Sequence, residues 1–385
     1  MTVSISSDVG KMKDGVQAWL RRSGALPLSL SLGGVQTRSV DPRRLCLDPI
    51  LDEFISFIGR WEAVQLKVIG DFHGLVLGIG TLRAPLLRRF EGLQHFDTWT
   101  LVRPLVSFLG ASPFLTDIVW DLPFDDGRGP LTARCGLPWS QLTRFGSHRA
   151  IGVEEFVGVL RRCPSLVEGS FRLIAGIDDH SPQPTTSLVH HNLTTLAIYF
   201  GRDELEPFLE HLTLPMLHDL TVKTGLPYSF SSQNAFVEFL SRSQPPMKRL
   251  TLEGVGDQSA QLIDLLLLTP YIADLSIHHR FLDLDDNFFH SLTYVEGTHQ
   301  TQPCLCPKLE VLSLVLSLQA DMTLSRGVFA TMLESRYRRD APDVVCLKGL
   351  EVRFIGDNRD RVGKDLDRLE ALREKGLSVL VSWEG

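Results

Sequence analysis

The sequence predicts an α/β fold: a right-handed solenoid with a parallel sheet on its concave side and helices outside. Three observations carry this expectation. Segments of the form L-x-x-L-x-L recur along the chain, segments of helical periodicity lie between them, and proline-containing breakers stand where the helices must stop. Strand, helix and strand in repetition imply parallel strands joined by crossovers, whose hand is right.

The clearest copies are 193–198 (LTTLAI), 217–222 (LHDLTV), 247–252 (MKRLTL), 272–277 (IADLSI), 309–314 (LEVLSL) and 347–352 (LKGLEV). Weaker copies precede them at Leu87/Phe90, Leu115/Ile118/Trp120, Leu142/Phe145 and Leu166/Phe171, after apolar stretches at 26–32 and 61–68. Each alternates with period two, as a half-buried strand does. Breakers stand at Pro85, Pro113, Pro164, Pro215, Pro246, Pro270 and Pro307. Helices are expected over 48–60, 152–162, 204–212, 233–242, 258–268, 285–292, 326–338 and 360–375. The steps from Leu196 to Leu220, Leu250, Leu275 and Leu312 are 24, 30, 25 and 37 residues, lengths that suit one strand and one helix per turn with variable loops. About twelve strand candidates favour an open array over a closed eight-stranded barrel. The expected organisation is an N-terminal helical cap at 1–25, a leucine-rich-repeat-like solenoid at 26–359, and a helix-strand cap at 360–385. Loops interrupt it at 122–138, 175–192 and 295–308, the middle one expected to be mobile. Leu196, Ile198, Leu220, Val222, Leu250, Leu252, Leu275, Ile277, Leu312, Leu314, Leu350 and Val352 are expected between sheet and helices.

Composition narrows the function classes. With 39 Lys+Arg against 46 Asp+Glu, the net charge of -7 leaves no surplus for the basic face that an electrostatic nucleic-acid binder needs. At 43% apolar and 22% charged residues the chain can bury a large core. No apolar run approaches the roughly 18–20 residues that span a bilayer, and the first fifteen residues lack a signal-peptide core. The expectation is a soluble protein of the cytoplasm or nucleus, with no nucleic-acid and no membrane partner. Six cysteines (Cys46, Cys135, Cys163, Cys304, Cys306, Cys346) are read as reduced core residues, because Cys304 and Cys306 lack the second ligand pair of a zinc site.

Motifs for chemistry fail in turn. Gly363-Lys364 has the wrong spacing for a phosphate loop, and Asp365 stands where a hydroxyl is required. Gly254 and Gly256 precede Ser259 rather than a third glycine, so a turn out of a strand explains them. The run from Asp283 to Asn287 begins like a calcium loop but has Phe288 at the glycine position and Tyr294 at the glutamate position; acids at a helix N-terminus account for it. His190-His191 and His278-His279 are sequence neighbours that point to different sides, and no G-x-S-x-G elbow offers a nucleophile. No catalytic residue, cofactor or metal is therefore expected.

Several phrases carry a family resemblance: 16–32 (VQAWLRRSGALPLSLSL), 58–66 (IGRWEAVQL), 137–143 (LPWSQLT), 160–166 (LRRCPSL), 212–217 (LTLPML), 239–243 (FLSRS) and 332–336 (MLESR). In this order they resemble the region that follows the F-box in fungal F-box/leucine-rich-repeat-like proteins. The resemblance implies a non-catalytic protein–protein interaction module, the substrate-recognition part of an SCF-type ubiquitin ligase receptor. It implies a target protein of unknown identity held by the repeats, and a Skp-type adaptor only where an F-box lies upstream. Eighteen residues precede Trp19, too few for the family's three-helix F-box, so the expected module lacks it. A second departure concerns the strand exits, where Gly201, Gly225 and Arg280 replace the family's asparagine. The alternatives are a leucine-rich-repeat scaffold unrelated to ubiquitin, and an enzyme with no recognisable motif.

If the leucines of L-x-L face the helices, the residues between them face outward on the concave sheet. The expected partner-binding strip is Tyr199 beside Ala197, then Asp219, Thr221 and Lys223, Arg249, Thr251 and Glu253, Asp274, Ser276 and His278, and finally Glu351 and Arg353. Tyr199 and Arg353 are the expected hot spots, since Tyr and Arg desolvate large area while keeping hydrogen bonds. The loop 175–192 is the competing location.

Overall fold

Wherever apolar and polar residues alternate in the L-x-L motif, the chain forms parallel strand. The computed structural model describes residues 2–5, 9–34, 48–67, 79, 81–92, 99–120, 135–174, 187–201, 205–224, 233–254, 259–278, 284–295, 304–317, 324–337, 344–356 and 359–384. The chain divides into two compact units, Met1–Arg172 and Leu173–Gly385.

The first unit runs β1 (Thr2–Ile5), α1 (Val9–Arg22), β2 (Leu28–Gly34), α2 (Asp48–Ile55), β3 (Trp61–Lys67), β4 (Arg89–Gly92), α3 (Trp99–Gly110), β5 (Asp117–Trp120), β6 (Arg144–Ile151) and α4 (Val153–Arg162), with β7 (Glu168–Leu173) reaching the division. Strands β1 to β6 pair in chain order and all in parallel. Their register aligns Leu30, Val64, Phe90, Ile118 and Phe145 into one buried row. Edge-to-face contacts tie that sheet to its helices, Trp61 against Phe108 and Phe156 against Phe171. Two elements were not expected from the pattern. Strand β1 precedes the N-terminal helix, and α3 forms despite Pro104 within it, which removes one backbone donor.

The second unit contains β8 (Leu188–Val189), β9 (Thr195–Phe200), α5 (Glu206–Leu209), β10 (Leu212–Thr213), β11 (Asp219–Thr224), α6 (Gln233–Ser243), β12 (Arg249–Glu253), α7 (Ser259–Leu267), β13 (Asp274–His278), α8 (Asp286–Leu292), β14 (Val311–Ser317), α9 (Val328–Arg336), β15 (Gly349–Ile355), α10 (Arg359–Glu374) and β16 (Ser378–Glu384). Strand β9 and strands β11 to β16 form successive parallel neighbours. The register aligns Leu196, Leu220, Leu250, Leu275, Leu312 and Leu350, and two residues on Ile198, Val222, Leu252, Ile277, Leu314 and Val352. All twelve are buried. Helices α5 to α10 each pack against the next. The short strands β8 and β10 form a separate parallel pair, so the end of the 175–192 loop is tied down; residues 175–186 lie outside the described residues. Also outside them are Cys46, Gly225, Gly256, His279, Arg280 and Asp283, and most of the loops at 122–138 and 295–308.

Each helix C-terminus leaves carbonyls without intrahelical donors. At the ends of α1, α5 and α8 a guanidinium from a later segment supplies them. Arg242 Nη2 donates to the carbonyls of Leu209 (2.7 Å) and Leu212 (2.8 Å), and Arg60 Nη1 reaches Leu20 O at 3.4 Å while its Nη2 donates to Leu26 O at 2.7 Å. Arg336 does the same at the end of α8. The phrases 239–243 and 332–336 therefore each contain one of these staples.

Candidate functional site

Parallel pairing without a register shift stacks the outward residues of the second unit into rows. The first row is Thr195, Asp219, Arg249, Asp274, Val311, Gly349 and Ser378. The second is Ala197, Thr221, Thr251, Ser276, Ser313, Glu351 and Leu380. The third joins Tyr199, Lys223, Glu253 and His278, and further along Val315, Arg353 and Ser382. All twelve residues expected in the strip fall on these rows, so sequence alternation brings them to one face.

Their charges are not equivalent. Arg249 is clamped between two neighbours, donating to Asp219 at 2.8 Å and to Asp274 at 3.0 Å. Hydrogen bonds to Asp274 and Asp219 push its pKa up. Lys223 pairs with Glu253 at 2.8 Å, and its ammonium lies 6.0 Å from the Tyr199 ring centroid. The hydrogen bond to Glu253 raises the Lys223 pKa. His278 Nε2 shares a hydrogen bond with Ser313 Oγ at 2.8 Å. Burial pushes its pKa down; Glu253 and Glu351 oppose that, while Arg353 and Lys223 add to it. Among the described residues Glu351 and Arg353 make no ion pair or hydrogen bond through their side chains.

Sequence reasoning missed Val311, Ser313 and Leu380 on this face. Ser313 is 5% exposed, whereas Val311 and Leu380 are apolar side chains exposed to 38% and 59%. The first unit has its own charge ladder, also missed: Arg89 meets Asp117 at 3.2 Å, and Arg144 meets Glu168 at 3.4 Å and Asp117 at 3.8 Å. Burial raises the Asp117 pKa, against the pull of Arg89 and Arg144. The available signal was position: each of Arg89, Asp117 and Arg144 immediately precedes a buried strand residue, as Asp219, Arg249 and Asp274 do.

The other residues considered for chemistry hold backbone in place. Asp285 caps α8 by accepting from Phe288 N at 3.0 Å, and Asp286 accepts from Ser325 N at 2.7 Å. Asp365, buried, accepts from Gly327 N (3.0 Å) and Ala330 N (2.9 Å), capping α9 from the next helix, α10. His190 is buried, with Nδ1 accepting from Leu193 N at 3.2 Å. Gly254 turns out of β12 with φ +72°. Cys304 Sγ accepts from Arg336 Nη2 at 3.0 Å, and burial pushes the Cys306 thiol up to about 12. Among the described residues no group of three or more His, Cys, Asp or Glu could hold a metal ion, and no helix is long and apolar enough to cross a membrane. No protein-family model matches the chain, and neither does any curated protein.

Proposed function

We propose that the chain is a protein-binding module, a right-handed leucine-rich-repeat-like solenoid whose outward sheet face is the concave side and engages an extended segment of a partner protein. The observation that carries this reading is the three in-register rows on the second unit. They put Tyr199, Lys223, Glu253, His278, Glu351 and Arg353 on one face of parallel strands whose other face carries buried apolar rows. Backbone already ordered in a sheet adds no backbone-ordering cost on binding, and the mixture of both charge signs with an aromatic favours a polypeptide over a nucleic acid.

The test is a partner captured by proximity labelling and then bound in purified form. Thr221→Arg, Thr251→Arg and Ser276→Arg together place bulk across the middle of the face. Binding should fall at least tenfold, whereas Val189→Arg, at the end of the 175–192 loop, should leave it unchanged. Survival of binding in the triple variant together with loss in Val189→Arg would move the site to the loop.

The narrower reading, a target receptor of an SCF-type ubiquitin ligase, draws on the phrase resemblance alone. Co-purification of a Skp-type adaptor with the product of the longest native transcript supports it. A product that assembles with its target but with no such adaptor would leave a scaffold in its place.

A further inference from the structure

We infer that recognition on this face is anchored at its β15–β16 end, by Glu351, Arg353 and Leu380, and that the ligand is an extended polypeptide carrying an apolar side chain with a carboxylate two residues away. This rests on the protein-binding reading above and narrows it. The cations at the β11–β13 end are already paired within the chain: Arg249 with Asp219 and Asp274, Lys223 with Glu253. A carboxylate that pairs with either must first break an existing bond, so little net attraction for an acid is left there. The Tyr199 ring likewise already faces a cation.

At the other end the balance is reversed. Arg353 is exposed and, like Glu351, has no ion-pair or hydrogen-bond partner among the described residues. Leu380, in register with Glu351, is the largest apolar exposure on these rows. Ser382 is the in-register neighbour of Arg353, which makes Leu380 and Arg353 diagonal neighbours across a strand pair. With strands about 4.8 Å apart and same-side residues about 6.6 Å apart along each, such a diagonal spans about 8 Å. An extended chain presents same-side residues about 6.6 Å apart, so one side chain can cover Leu380 while the next on that side reaches the guanidinium. Glu351 beside Leu380 repels an acid at the apolar position and so fixes which of the two residues sits where.

The probe is a set of synthetic nine-residue peptides in a Ser/Thr background, with Leu at position four and Asp, Ser or Lys at position six, titrated by fluorescence anisotropy onto the full chain. The Asp peptide should bind at least tenfold more tightly than the Lys peptide. Arg353→Glu should invert that preference, a gain that misfolding cannot produce, and Leu380→Ser should weaken the Asp peptide at least tenfold. The paired swap Glu370→Arg with Arg373→Glu, on the exposed side of α10 away from the face, should change affinity less than twofold. The assignment is overturned if no peptide in the set binds, if the preference survives Arg353→Glu, or if the paired swap is the damaging change. The wider reading has a separate fate: a native partner lost on the three arginine insertions but indifferent to Arg353→Glu and Leu380→Ser would retain the face and discard this anchor.

Discussion

Arg336, 1% exposed, donates to the Leu292 carbonyl at 2.5 Å. The same guanidinium donates to Cys306 O at 2.8 Å, to the Leu305 carbonyl and to Cys304 Sγ at 3.0 Å, so a buried cation is held by four neutral acceptors. Burial accordingly pulls its pKa below the ordinary arginine value. Arg336→Ala should cost about 3–5 kcal/mol, since it strands buried carbonyls as well as removing charged hydrogen bonds. Arg336→Lys should recover less than half of that, because an ammonium lacks the planar fork. Urea unfolding of the full chain measures both, and an alanine variant as stable as the wild type would show that the staple is ornamental.

Asp365 caps α9 although it belongs to α10. Asp365→Ala should destabilise by about 1–2 kcal/mol, the range for a lost helix cap, and Asp365→Asn should retain much of the effect because its amide oxygen still accepts. Hydrogen exchange localises the defect: amides in the first turn of α9 should lose protection in the alanine variant. Uniform loss along α10 alone would contradict the cap.

A Cβ at Gly254 would lie 2.6 Å from Thr224 Cγ2 and 3.0 Å from Thr224 O, on a backbone at φ +72°. Gly254→Ala should therefore cost about 1–3 kcal/mol. Thr224→Ser removes the offending methyl but leaves the carbonyl and the dihedral, so the same change in that background should cost less without becoming neutral. Equal costs in both backgrounds would assign the whole penalty to the dihedral.

The His278 pKa lies below the ordinary value of about 6.5 because burial disfavours the imidazolium. The neutral ring thus contributes stability that is complete above about pH 6.5 and disappears as pH falls through the lower folded value. Wild-type stability should drop between pH 7 and pH 5 relative to His278→Gln, and the ring's NMR titration midpoint should sit below 6.5. A midpoint above it would mean that Glu253 and Glu351 outweigh burial.

The second unit was legible because leucine recurs at both buried positions of its strands. The first unit hid the same geometry by exchanging volumes. In β4 the second buried position is Gly92, and the space a side chain would fill there is taken by the rings of Phe90 and Trp120, which meet edge to face. A pattern read in leucines decays where aromatic residues and glycine trade places, although the packing does not. The candidate face was legible as a set of positions from alternation alone. Which of its charges are already spent was not: the partners of Arg249 lie 30 and 25 residues away, and only the register brings them within reach. Leu380 was not legible because the closing strand reads as part of a polar end cap, and only its register with Glu351 places it on the face.

The guanidinium staples also set an order of events during synthesis. Arg242 follows the Leu209 carbonyl it serves by 33 residues, and Arg336 follows Leu292 by 44. At about 5–20 residues per second, a ribosome delivers each donor roughly two to nine seconds after its acceptor. During that interval the emerging helix end lacks its donor, so α5 and α8 each wait for a later segment to complete them. Rare codons placed just after either helix would lengthen the exposure and raise the demand for chaperones, whereas rapid translation through the following segment would shorten it.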